Sequence, residues 1–484
     1  MGFFHYNVIM RTALLLCVLL AVSARAAEPF VIHCIDDQTG RGIPLVELTT
    51  TNHLRYISDS AGVVTFDEPG LLNQRVWFNV SSHGYEASAD GFGNRGKAFD
   101  VKPGGSATIK LHRINIAERL YRVTGQGIYA DSVKAGLDTP LTHPALNGQV
   151  MGQDSVQRTI YRGKIRWFWG DTSRASYPLG HFGTAGATSL LPTDGGLDPA
   201  QGVDLDYFVD DKTGFSRPMF KIDRKGLIWI DGVTTVKDDA GQIRLICHYA
   251  LMKNLGERLE HGLAFYNDQT DHFGDLLPMP DDAPLEPTGH VFKHTDAGVE
   301  YLYFANPWPT TRVRSDWQAV RDLSRYEAWT QLDNGSYGWK RNVKPVDEKD
   351  PWLKTADAAT GKTFKLHRGS VAYNDYRRCW IMIANEIGGS SMLGEVWYLE
   401  APQPQGPWHK AVKIATHQKY SFYNPVHHEF FDQDGGRVIY FEGTYTAMFS
   451  GNDNPTPRYE YNQIMYRLDL ADPRLEPAHI QIKQ

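Results

Sequence analysis

Residues 154–172 read DSVQRTIYRGKIRWFWGDT: a short alternating strand, a tight polar turn at Gly163, and a second strand dense in aromatic residues. Four later stretches are built the same way: 231–251 (DGVTTVKDDAGQIRLICHYAL), 289–308 (GHVFKHTDAGVEYLYFANPW), 368–387 (RGSVAYNDYRRCWIMIANEI) and 427–446 (HHEFFDQDGGRVIYFEGTYT). Their turns fall at Gly241, Gly298, Asp375 and Gly436. Such a unit cannot bury its own faces, so repetition predicts a closed ring of small sheets. The expectation is an all-β chain with a five-bladed β-propeller over 148–484. The unequal spacing and long loops suit blades better than a solenoid or two sandwiches.

Ahead of the repeats, Phe30 to Arg113 is a run of short strands broken by turn residues, with no helical period, which predicts a small antiparallel β-sandwich over 27–115. Residues 116–147 read as a linker. The pieces TGRGIP (39–44), SDSAGVVTF (58–66) and SHGYE (82–86) resemble the carboxypeptidase regulatory-like (transthyretin-like) domain, and the resemblance implies a spacer or packing module. Gly91 to Gly96 matches the dinucleotide pattern G-x-G-x-x-G, but no strand-to-helix transition surrounds it.

In residues 1–26, Arg11 precedes an apolar run from Thr12 to Val22, and Ala24-Arg25-Ala26 follows. This reads as a secretory signal, too short to span a bilayer, and no later apolar run is long enough. The expected location is periplasmic or secreted, with no integral membrane segment after cleavage. Cys34, Cys247 and Cys379 then remain, widely spaced and odd in number, which gives neither a disulfide framework nor a C-x-x-C knuckle. With 50 Lys+Arg against 56 Asp+Glu, there is no basic excess for nucleic acid.

In a propeller blade the innermost strand runs away from the mouth and the second returns to it. Counting outward from the turns therefore gathers one ring of Asp154, Asp231, His290, His367 with Arg368, and His427. The returning strands add Asp171, Tyr249, Asn306 with Trp308, Asn385 with Glu386, and Glu442 with Thr444. Any one Asp or Asn at a strand end serves as well as a turn cap. As a set, desolvated acids, imidazoles and a guanidinium facing one funnel point to a site.

The acids opening the inner strands, WFWGDT at 167–172, and EVWYLEAPQPQGPW at 395–408 resemble five-bladed carbohydrate-active enzymes such as arabinanases, β-xylosidases, fructosidases and neoagaro-oligosaccharide hydrolases. The resemblance implies a general base on the first inner strand, Asp154, an orienting acid on the second blade, Asp231, and a proton donor from another blade. The third blade departs, offering His290 where a Glu would be more familiar, and Glu386, Glu327 or a histidine is left to donate. The expectation is thus an exported glycoside hydrolase of polysaccharide or oligosaccharide. Asp154, Asp231, Glu386 and His290 are the catalytic candidates. Asp171, Trp169, Trp308, His367, Arg368, Tyr423, Asn424, His427, Glu442 and Arg458 are the substrate-binding candidates.

Two readings compete. A polysaccharide lyase would use Arg368 on a uronate with His290, His427 or Tyr423 as base, and a non-catalytic propeller would only bind glycan. No cofactor or metal is expected. His427 and His428 are consecutive and point to opposite faces of a strand, so a ring of His290, His367 and His427, or a structural Ca²⁺ on funnel carboxylates, is the metal alternative. GGSSMLG and ATGKT make neither a nucleophile elbow nor a phosphate loop. The closing segment 443–470 is expected to complete the ring by pairing with the first blade, with Arg458 and Tyr459 near the mouth.

Overall fold

A computed structural model describes residues 28–176, 183–221 and 224–481. The export segment read in 1–26 lies outside the described residues. From Gln157 onward the strands form five successive sheets, apart from Thr172–Ser173, which pairs with Gly152–Gln153. Their innermost strands are Gln157–Tyr161, Leu227–Lys237, His290–Asp296, Thr363–Asn374 and Ser421–His427. The third sheet carries a fifth strand, Tyr337–Arg341, and in the fourth a short strand, Thr355–Asp357, pairs with both the first and the last strand.

The way the cores are shared closes these sheets into a ring. In the second strand of the first sheet, Phe168 packs toward Cys247 and Leu245 of the second sheet, while Trp167 and Trp169 pack toward Tyr440 and Met465 of the fifth. That split follows from alternation: neighbouring side chains of a strand point to opposite faces. In the fourth sheet Trp380 and Met382 face the third, while Ile381 and Ile383 face the fifth. Val236 and Phe265 of the second meet Phe304 and Leu302 of the third. Each of these five clusters joins two neighbouring blades, so the ring is a five-bladed propeller.

Closure differs from the expectation. The strand Asn462–Asp469 does not pair with the first blade; Glu118–Arg122, from the start of the expected linker, lies antiparallel to it as the outermost strand of the fifth blade. After Ser421 the chain supplies only three strands to that blade, and the borrowed strand covers an otherwise open edge.

The N-terminal body is two four-stranded sheets enclosing Ile32, Cys34, Leu48 and Phe78. One pairing is parallel, Phe30–Asp36 with Ser106–Arg113, so the sandwich is mixed rather than wholly antiparallel. Leu45 joins the core shared by the fourth and fifth blades. The buried Arg119 donates to the carbonyls of Pro44 (3.1 Å) and His83 (2.8 Å) and to Ser82 Oγ (2.5 Å), and the Tyr459 hydroxyl donates to the Ser58 carbonyl.

Candidate active site

A cavity of about 790 Å³ opens at one end of the ring, and every blade contributes to its wall. Asp154, Gln157 and Asp171 come from the first blade, Trp229, Asp231 and His248 from the second, His290 from the third, Arg368 from the fourth, and Tyr423 and Asn424 from the fifth. Breaks in strand register aim these groups. The innermost strands of the second, fourth and fifth blades shift register between Asp231 and Thr234, Leu366 and Gly369, and Tyr423 and Val426. A bulge leaves a residue unpaired and re-aims its neighbours, here at the mouth each time. Gly232 makes the first bulge feasible: its φ is +60°, and a Cβ there would lie 2.2 Å from the Pro287 carbonyl oxygen. Non-glycine residues with positive φ also gather on the wall: Ser155, Asn424, Phe449 and Tyr461.

The three aspartates hold protons differently. Asp231 Oδ1 accepts from Gln157 Nε2 (3.0 Å) and the backbone N–H groups of Gly232 (3.0 Å) and Gly289 (2.8 Å), and Oδ2 accepts from Arg368 Nη1 (2.9 Å). Burial alone would raise its pKa, but the Arg368 guanidinium and these donors hold it below the ordinary carboxylate range. Asp154 is pushed up by burial, against the phenols of Tyr461 (2.6 Å) and Tyr423 (2.8 Å), which both donate to Oδ2. Its Oδ1 is enclosed beside Gly170 with no hydrogen-bond donor among the described residues, the kind of uncompensated acceptor that functional sites keep. Asp171 is pushed up to about 6 by burial and by the charge of Asp154. Among the described residues only Trp229 Nε1 (3.1 Å) donates to its side chain, through Oδ1. Two phenols back the ionised form of Asp154 and one indole that of Asp171, and burial and the charge of Asp154 make Asp171 keep its proton to a higher pH than an ordinary carboxyl group. His290 is driven down to about 3 by burial and by Arg158, and is a neutral imidazole.

Other expected site residues lie elsewhere. Glu386 does not line the cavity; its carboxylate accepts from Trp397 Nε1 (3.0 Å). Trp169 is sealed in the core, stacked 6.4 Å from Trp167, and Trp308 packs against the fourth-blade core. His367 is half-buried off the cavity, because the bulge turns Arg368 into it instead. His427 is buried, with Nε2 2.7 Å from Asp432 Oδ1. Two 3₁₀ turns, Glu429–Phe431 and Asp434–Gly436, lengthen the fifth hairpin, so counting back from its turn stops short at His427 when Tyr423 and Asn424 reach the mouth. Glu442 is wholly buried, 3.5 Å from His428 Nε2, with neither oxygen hydrogen-bonded and its pKa raised to about 8 by burial. Arg458 and Tyr459 face the sandwich: Arg458 Nη1 donates to Asp131 Oδ2 (3.0 Å), and the Tyr459 ring lies 4.0 Å beneath the Arg122 guanidinium.

His290, His367 and His427 do not converge. Among the described residues the one group with metal-ligand spacing is His248, His261 and Glu286, which the repeat register had left aside. Trp229 and Tyr461 were also missed. Trp229 shares strand parity with Asp231, a signal legible in IWID; Tyr461 sits on an irregular loop that offers none.

No protein-family model matches the chain, and no curated protein matches it. Solved structures similar to it include the exo-β-1,3-galactanase of Phanerochaete chrysosporium with galactose (TM-score 0.38, 9% identity, 73% of this chain and 65% of that one). Others are the α-L-arabinanase of Penicillium chrysogenum with arabinobiose (0.35, 12%, 66% and 94%) and the GH43_1 enzyme of Xanthomonas citri with xylotriose (0.33, 10%, 66% and 87%). Likeness at this level assigns no activity.

Proposed function

We propose that the chain is a glycoside hydrolase whose cavity takes an uncharged sugar. The observation that carries this is the divergence of carboxyl groups in one cavity: Asp231 held ionised, and Asp171 raised to about 6 beside Asp154. Environments that push acids apart in this way separate proton donor from proton acceptor at neutral pH. In this reading Asp171 protonates the leaving oxygen, the role first expected of Glu386. Asp154 takes the proton of the attacking water, and Asp231 orients the substrate with Arg368. The Trp229 indole offers a stacking face to the sugar.

The lyase alternative is less well supplied. It needs a cation free for the uronate carboxylate, whereas Arg368 is committed to Asp231 (2.9 Å), Arg258 to Glu286 (2.9 Å), and Lys253 pairs with Glu257 (2.9 Å). It also needs a base, and burial with the adjacent Asp154 drives the Tyr423 phenol far above its usual range. Reading residues 1–26 as a secretory signal makes the substrate a glycan outside the cytoplasm.

The test is incubation with a panel of neutral oligosaccharides and aryl glycosides, scoring new reducing ends. Hydrolysis without an ultraviolet-absorbing product supports the reading. An unsaturated product from uronate glycans would replace it with elimination, and glycan binding without any product would leave a lectin-like propeller.

A further inference from the structure

We propose that His248, His261 and Glu286 form a binding site for a divalent transition ion of the zinc class, with an open coordination position at the cavity wall. This stands apart from the hydrolase reading, since it rests on ligand geometry alone. His248 lies on the second strand of the second blade, Ile243–Asn254, and His261 on the third, Glu257–Asn267. Register sets His248 opposite Leu263 and His261 opposite Ala250, so the two imidazoles are diagonal neighbours on one face. His248 Nε2 is 3.1 Å from His261 Nδ1, and His261 Nδ1 is 4.0 Å from Glu286 Oε1. One ligand atom from each of the three residues lies within 4.8 Å of the others. Ligands bound at about 2.0–2.2 Å around a tetrahedral ion stand roughly 3.3–3.6 Å apart, so small adjustments suffice.

The His261 tautomer is fixed in the sense that coordination needs, whereas His248 Nε2 donates to His261 Nδ1 (3.1 Å) and must pass its hydrogen to Nδ1 to become a ligand. His261 Nε2 lies 3.1 Å from the Pro280 carbonyl, which can only accept; Nε2 therefore carries the hydrogen and Nδ1 presents a lone pair. A ligating histidine anchored through its other nitrogen to a backbone carbonyl is a recurrent outer-shell arrangement. Both rings are buried, at 3% and 0% exposure.

Arg258 is the apparent obstacle, since it forks onto Glu286 at 3.1 and 2.9 Å. A carboxylate has about four lone-pair positions, so the fork leaves room for an ion. Asp281 lies 3.7 Å from the same guanidinium and offsets its charge. Two imidazoles and one carboxylate suit Zn²⁺, Co²⁺ or Ni²⁺ rather than Ca²⁺ or Mg²⁺, which take oxygen. His248 and Glu286 both line the cavity, so the remaining position is available to water or to a sugar hydroxyl.

The full-length chain, stripped with a chelator, is titrated with Co²⁺ and Zn²⁺ by calorimetry and visible absorption. The expected result is one ion per chain with the visible band of four-coordinate Co²⁺, and affinity lowered at least about 100-fold in His261→Ala and His248→Gln. His248 is at the cavity wall, so His248→Gln still decides should His261→Ala fail to fold. Absence of a stoichiometric ion in the unmodified chain, or unchanged binding in folded His248→Gln, would overturn the site. Neither readout involves turnover, so a failed metal site and a failed hydrolase reading are told apart.

Discussion

Asp171 and Asp231 share a cavity but hold their protons over different pH ranges, and the difference lies in their donors: among the described residues one indole for the first, four N–H groups for the second. If Asp171 supplies the proton, kcat is greatest while it is protonated and falls as pH rises through about 6. Asp171→Asn should lower kcat by roughly 10²–10⁴ and remove that limb; pH–rate profiles of both forms on a cleaved glycoside check it. Glu442 makes a separate prediction about stability. The folded chain keeps its proton up to about 8, whereas an unfolded glutamate loses it near 4.3, so between those values the folded state binds more protons. Stability attributable to this group therefore falls as pH rises across that window. Glu442→Gln should raise Tm at pH 7.5 by an amount corresponding to about 1–3 kcal/mol and leave it nearly unchanged at pH 4, as scanning calorimetry at the two pH values would show. Sequence alone brought Asp154, Asp171 and Asp231 to one funnel. It did not show which acid keeps a proton, because that depends on donors from distant strands such as Trp229 and Tyr461.

At the level of the strand, alternation was legible and register was not. The pattern WFW already separates Phe168 from Trp167 and Trp169, and the two faces do bury against different blades. Counting from turns held in the second blade, where it reached Asp231 in spite of a bulge, and slipped in the fourth and fifth. One residue of offset turns Arg368 rather than His367 into the cavity, and two short 3₁₀ turns hand the mouth of the fifth blade to Tyr423 instead of His427. Bulges have no composition signature of their own beyond an occasional glycine. Gly232 is such a glycine, and Gly232→Ala should be severe: the methyl meets the Pro287 carbonyl at 2.2 Å in a left-handed conformation. The expected outcome is destabilisation of about 2 kcal/mol or more, with loss of activity as Asp231 is displaced. Thermal unfolding and kcat measured on the same preparation check both effects.

Across the whole molecule, five repeats were enough to announce five blades, because each two-strand unit must bury both faces against neighbours. The closing strand was hidden. Glu118–Arg122 reads ERLYR, a short edge-like strand that names no partner, and only the missing fourth strand of the last blade explains its place. Closure also explains how the sandwich is held, since that same strand carries Arg119, whose guanidinium is spent on acceptors in the sandwich. Arg119→Met should leave the cavity intact but loosen this joint, lowering Tm by a few degrees and raising protease sensitivity near residues 82–84, with kcat little changed. Limited proteolysis beside an activity assay checks it.

In the proposed reaction Asp154, Asp171 and Asp231 act together on a glycosidic bond. Its most direct test is the steady-state cleavage rate of Asp154→Asn beside the unmodified chain, with circular dichroism and Tm recorded for both. The predicted result is a fall of about 10³-fold or more with the fold retained. An undiminished rate in a folded Asp154→Asn protein would contradict it.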